Sequence, residues 1–343
     1  MDSQNTFSIM IFLQLPENEK IELINQMHEE TKLPQVIIEK DLWVTAVLRA
    51  LFALPYAKNL SFKGGTSLSK CWNLIERFSE DVDIAINREF FGFLGDTFTI
   101  KQISKNLRKA TCKFIRNELQ FDLARQMEID GVPADLFSVR MNITLVTTID
   151  PEKVFVEYKS VFNASPYIKN VVILEIGGRS MKEPLQKVEI QSFIDKHFSQ
   201  ATFAEKPFEI NVVVPERTFW EKVCLLHEEF SKPSEQVRVE RMSRHIYDLA
   251  RMIETSIAEN ALKNKELFQS IVAHRRMFIA MKGFDYDTLS PKTINIIPPE
   301  SVIAKWEDDY NKMQTMIYGK SLLFSDIIDE ITKLNEKIRE LEW

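Results

Sequence analysis

Residues 62–70 read FKGGTSLSK, and eleven residues further on the chain reads Asp81-Val82-Asp83. The first stretch invites two readings, a phosphate-binding P-loop or a glycine turn of another kind. A P-loop needs GxxxxGK[ST], with the second glycine wrapping the phosphate and the hydroxyl reaching magnesium. Counting from Gly64, Ser69 stands where that glycine belongs and Cys71 where the hydroxyl belongs. Two of the four requirements fail.

The other reading uses the same residues differently. NLSFK before the glycines is strand-like, TSLSKCWNLIE after them is helix-like, and VDIAI beyond alternates as a strand does. Gly64-Gly65 then turns the chain out of a strand, and Thr66 or Ser67 opens a helix whose first N–H groups can face an anion, or simply caps it. Alternation puts Asp81 and Asp83 on one face of the following strand and Val82 and Ile84 on the other. Two neighbouring carboxylates repel unless a cation lies between them, and hard oxygen ligands suit Mg²⁺. A lone DxD is weak evidence, since Asp285-Tyr286-Asp287 has the same form without a glycine turn before it. The informative feature is the order strand, Gly-Gly, Ser, helix, DxD strand within thirty residues.

Outward from that unit, residues 17–55 carry helical periodicity, residues 99–127 look helical again, and three β-rich runs follow: VRMNITLVTTI, VVILEIGGR and FEINVVVP. After Pro215 the pattern is helical to the end, which sets a boundary near 215. The expected division is an N-terminal helical section over 1–58, a core over 59–215 and a C-terminal helical domain over 216–343.

The composition is that of a compact protein, with 45% hydrophobic and 27% charged residues. A formal charge of −6 gives no global attraction to nucleic acid, although a local basic face is compatible with it. Three scattered cysteines and five scattered histidines form no zinc or disulfide framework and suit a reducing compartment. The apolar run FSIMIFLQL is too short to span a bilayer and lacks the basic start of a signal peptide, so the expected location is the cytoplasm and no membrane partner is expected.

A third carboxylate is expected on a neighbouring strand, to help hold metal or to accept a proton. Glu175, inside an apolar β-branched run before Gly177-Gly178, is the first choice, against the plain reading of an edge glutamate facing water; Glu189 competes. In ERTFWEKVCLLHEE, Phe219, Val223 and Leu226 form an apolar stripe and Lys222 falls within it, either passing the core to reach water or aimed into a site. Asp248 lies four residues after Arg244, the spacing of a helical ion pair. Arg179 and Arg217 are weaker phosphate candidates, and Arg238, Arg241, Arg244 and His245 could meet a nucleic-acid backbone or form a solvated face.

The Gly-Gly/Ser turn followed by an acidic-hydrophobic-acidic strand resembles the nucleotidyltransferase fold of the DNA-polymerase-β type. GGTSLSKCWNLIERFSEDVDI looks like the motif of the AbiEii/AbiGii abortive-infection toxin family, and LEIGGR, PERTFWEKVCLLHEE, SRHIYDLARM and DDYNKMQTMIYG resemble its later blocks in the same order, from about Glu39 almost to the C-terminus. One spacing departs from the pattern: fifteen residues separate Gly65 from Asp81, a surplus that a loop through Arg77-Phe78-Ser79 would absorb.

The resemblance implies an α+β fold, a polymerase-β-like core with a mixed sheet, N-terminal helices and a C-terminal helical domain. It implies a pyrophosphate-releasing enzyme that transfers NMP from an NTP to an acceptor, RNA at the 3′ end of tRNA for some members. It further implies a toxin of a toxin–antitoxin or phage-defence pair, with a cognate antitoxin encoded nearby. Asp81, Asp83 and Glu175 would be the metal ligands for Mg²⁺ or Mn²⁺. Gly64, Gly65, Thr66, Ser67, Lys222, Arg179 and Arg217 would bind nucleotide, and Lys222 and Asp248 would complete the catalytic set. Two alternatives stand beside this: transfer to a protein or small molecule, and a catalytically silent nucleotide-binding module.

Overall fold

A computed structural model describes residues 10–79, 81–94, 103–142, 144–163, 168–180 and 183–343. Its contacts divide the chain into two units, Met1–Ser67 with Ser79–Val212, and Leu68–Phe78 with Val213–Trp343. The N-terminal helices therefore share a unit with the strands, and the short segment 68–78 goes with the C-terminal helices. The chain crosses between the units at 67/68, 78/79 and 212/213.

The first unit is built on a seven-stranded mixed sheet of order β3-β4-β5-β2-β1-β7-β6. Its strands are β1 (Leu60–Lys63), β2 (Asp81–Asn87), β3 (Phe137–Met141), β4 (Glu152–Tyr158), β5 (Val171–Ser180), β6 (Leu185–Ile190) and β7 (Phe208–Val213). Central β2 runs antiparallel to β1 and parallel to β5. One face is apolar: Val82 and Ile84 of β2, Val172, Leu174 and Ile176 of β5, and Val154 and Val156 of β4 are all buried. Period-two alternation leaves Asp81, Asp83, Ile173 and Glu175 on the opposite face. The helix Gln35–Ala53 is buried along most of its length, and its Trp43 stacks on Tyr158 at 4.9 Å between ring centroids.

Two sequence expectations change here. The run over residues 139–149 is strand only as far as Met141, where its register with β4 closes at Met141↔Val154. Beyond that point Arg116 donates to Thr144 O and Val146 O, and Leu145 stands 99% exposed. The helix after the glycines spans Gly64–Lys70, shorter than the expected run to Glu76. Asn73 takes a left-handed φ of 50°, and Leu74 N–H donates to Leu68 O at 2.9 Å, a polar closure of the kind that ends helices.

The second unit is helical. Pro215–Phe230, Ser243–Ile253, Ser256–Lys263, Lys265–His274, Glu300–Met313 and Phe324–Glu340 enclose a core that includes Phe219, Trp220, Ile246, Leu249, Trp306 and Ile331. Pro215 opens its helix at a position where no N–H is needed. Leu68 and Ile75 of the 68–78 segment belong to this core. Strand-like pairing fixes the segment's end: Arg77 bridges Ile317, Phe78 N–H donates to Met316 O at 2.8 Å, and Tyr318 N–H donates to Glu76 O at 3.0 Å. No described helix is long and apolar enough to cross a membrane.

Candidate active site

The register assembles a row of charges across four strands of the sheet. Lys63 of β1 lies beside Asp83, Asp83 beside Glu175, and Glu175 beside Lys153 of β4. Lys153 Nζ reaches Glu175 Oε1 at 2.5 Å. Glu175 is thus an inner-strand residue next to the aspartates, since β5 has neighbours on both sides. Glu189 is exposed on edge strand β6, separated from β2 by β1 and β7.

The glycine turn packs against this row. Gly64 has φ 77°, and a Cβ added there would lie 2.0 Å from Asp83 Oδ2. Only glycine accepts that backbone and lets the carboxylate approach so closely. Thr66 and Ser67 are buried. The Thr66 hydroxyl donates to Asp81 O, and the Ser67 hydroxyl donates to Gly64 O at 2.8 Å. Both side chains therefore lock the turn to itself and to β2, with Gly65 in the first turn of the same short helix.

The aspartate pair suits a hard divalent cation, because alternation delivers two carboxylates to one face. Among the described residues no three His, Cys, Asp or Glu side chains gather as a ligand set. The expected three-carboxylate set of Asp81, Asp83 and Glu175 is therefore not gathered, and a cation such as Mg²⁺ would be held by the aspartate pair, one or two protein carboxylates being its ordinary complement.

In the helical unit a second cluster is buried. Asp248, with its side chain fully shielded, accepts from Arg77 Nε at Oδ1 and from Arg77 Nη2 at Oδ2, both at 2.7 Å. Lys222 Nζ meets the same Oδ2 at 2.8 Å and lies 3.4 Å from His245 Nδ1. Burial alone would raise the Asp248 pKa, but Arg77 and then Lys222 outweigh it and hold the carboxyl well below the usual carboxylate range. Burial pushes the Lys222 ammonium down, and Asp248, shared with Arg77, only partly offsets it. Burial, then the Lys222 and Arg244 cations, keep the half-buried His245 neutral.

Asp248 thus sits in a triad with Arg77 and Lys222, a wider set than the i,i+4 pair with Arg244 that its spacing suggested. Arg77 is the residue that sequence reasoning missed. It appeared only as a member of a loop absorbing surplus length, and its partner lies 171 residues away.

Among the remaining basic candidates, Arg179, Arg217 and Arg238 have carboxylate partners. Arg179 Nε lies 3.1 Å from Asp150 Oδ2, and Arg217, 1% exposed, pairs with Glu221 at 3.2 Å. Arg238 pairs with Glu229 at 2.7 Å, and the backbone N–H of Arg241 donates to Asp309.

A glycine-led strand, helix and strand that brings two aspartates to one face of a mixed sheet, with a third carboxylate beside them, defines a nucleotidyltransferase core. Residues 46–330 match the family described as nucleotidyl transferase AbiEii toxin, type IV TA system. The fold is similar to that of the MenT4 nucleotidyltransferase toxin from Mycobacterium tuberculosis H37Rv, with a TM-score of 0.55, 18% identity, and coverage of 96% of this chain and 91% of that one. No curated protein matches at a significant level. The chain belongs to the AbiEii family and is a nucleotidyltransferase toxin of the type IV toxin–antitoxin class, which implies an antitoxin partner.

Proposed function

We propose that the protein is a magnesium-dependent enzyme that transfers NMP from an NTP to RNA, at the 3′ end of tRNA, and that a neighbouring gene encodes its antitoxin. The observation that carries this reading is the Asp83–Glu175 register beside the Gly64 turn. Asp81 and Asp83 would hold Mg²⁺, which would supply charge neutralisation to the nucleotide phosphates. Glu175 accepts the proton of the attacking hydroxyl, exchanging its Lys153 contact for the acceptor. Lys222 offsets charge on the triphosphate, and Asp248 keeps that ammonium in place.

The test is transfer of label from α-labelled NTPs to total RNA with Mg²⁺, and the same reaction with Asp83→Ala. The wild-type protein labels tRNA, and the variant loses at least about three decades of rate, the several kcal/mol a catalytic metal supplies. Transfer that survives the substitution overturns the site, and label found in protein or a small-molecule fraction overturns the acceptor.

A further inference from the structure

Between the glycine turn and the DxD strand the chain leaves its helix at Lys70 and crosses residues 71–78, whose end is pinned by strand-like pairing with 316–318. That pairing delivers Arg77, 3% exposed, to Asp248. Its guanidinium fork takes both carboxylate oxygens, and Nη1 donates to Phe78 O at 3.2 Å, so the plane of the group is set from two sides. Lys222 is left with one shared oxygen, Oδ2. Arg77, Lys222 and Asp248 together carry two positive charges and one negative, and Arg244 adds a further cation beside Lys222.

We propose that Arg77 is a positioning residue for nucleotidyl transfer. By holding both oxygens of Asp248 it leaves the Lys222 ammonium sharing Oδ2 and keeps positive charge uncancelled for the phosphates of an NTP. Without Arg77 the aspartate is free to turn fully to Lys222, and one anion then cancels one cation. The inference rests on the reading of Lys222 as a nucleotide-binding residue and adds the device that keeps it competent.

The experiment measures, by calorimetry, the Kd of the full chain for a non-hydrolysable NTP with Mg²⁺ across pH, alongside thermal unfolding. Arg77→Met weakens binding about ten- to a hundredfold, the range for a lost hydrogen bond to a charged group. In an Asp248→Asn background the same substitution adds less than about threefold, because the group through which it acts is gone.

The pH profile carries a sign that a structural role does not move. Lys222 is faced by Asp248, Arg244 and His245 from the helix Ser243–Ile253 and by Arg77 from the 71–78 segment. Removing the Arg77 cation shifts the alkaline loss of NTP binding to higher pH, and Asp248→Asn shifts it to lower pH. Should Arg77→Met fail to fold, Arg77→Lys keeps the cation but not the fork, and it weakens binding with the alkaline limb close to that of the wild type. Lowered thermal stability with unchanged Kd and pH profile in whichever variant folds overturns the proposal. Unchanged Kd in Lys222→Met instead overturns the underlying reading of Lys222, so the two failures are distinguishable.

Discussion

The charged row on the sheet and the charged cluster in the helical unit are built from similar residues, yet they stand in different environments. Asp81, Asp83 and Glu175 are half-buried, and Lys153, which meets Glu175, is half exposed. Arg77, Lys222 and Asp248 are all shielded. Water can screen the first set and exchange into it, so its geometry is free to respond to a metal and a substrate. The second set has no such solvent, and each charge depends on its partners for folding as well as for function. The sheet row should thus tolerate substitution and lose chemistry, whereas the buried cluster should lose both.

The sharpest way to break that contrast is a pair of variants compared by activity and by denaturant unfolding. Asp83→Asn is expected to cost about three decades of transfer while stability stays within about 0.5 kcal/mol. Asp248→Ala is expected to cost about 3–5 kcal/mol of stability, because Arg77 and Lys222 are left as buried cations without an anion. Equal stability losses in the two variants would mean that burial does not separate the regions.

Gly64 tests the seam of the sheet site at a smaller scale. Gly64→Ala forces a side chain into a backbone at φ 77°, costing about 1–2 kcal/mol, and pushes a methyl into the Asp83 carboxylate. The expected result is a modest stability loss with a large loss of transfer, since the carboxylate must move. A variant that is destabilised but fully active would show that Asp83 functions from another position.

How much of this was legible follows from the range of each interaction. The DxD face was readable because alternation is local, and the same rule put Glu175 in a strand whose neighbours only the register reveals. Lys222 was visible as a charge in an apolar helical stripe. The contact of Asp248 with Arg77 was not: periodicity sees four residues back to Arg244, and no local rule reaches Arg77 across a segment that pairs with residues 316–318. Helix length failed for a related reason, as Asn73 breaks a pattern whose apolar residues, Leu68 and Ile75, are apolar because they join the helical core.

Acid offers a graded test of the buried cluster. His245 is held below its ordinary value when folded, so between that value and about pH 6.5 the unfolded chain binds more protons and stability falls as pH falls. The Asp248 carboxyl is also depressed, so its contribution is complete above about pH 5 and is lost at lower pH, as the unfolded carboxyl protonates near 3.9 while the folded one does not. The imidazole part is at most about 1.4 kcal/mol per pH unit. Chemical denaturation at pH 7.5 and 5.5 should show a stability drop that His245→Gln largely removes, and an equal drop in both proteins would assign it elsewhere.

The smallest effect belongs to Lys153, and it bears on the contrast most directly. Its ion pair with Glu175 is short, but the lysine side chain is 51% exposed, and pairs of that kind contribute about 0–1 kcal/mol. Lys153→Met should therefore leave unfolding nearly unchanged. Transfer is a different matter, because two neighbouring carboxylates, Asp83 and Glu175, would then lie side by side in the row without the cation that β4 provides. If the row is adaptable, added Mg²⁺ takes over that neutralising role. The variant should then need a higher Mg²⁺ concentration for half-maximal transfer and reach a similar maximum. A loss of maximal rate that no Mg²⁺ concentration restores would show that the lysine, like Arg77 in the buried cluster, is a fixed part of its site.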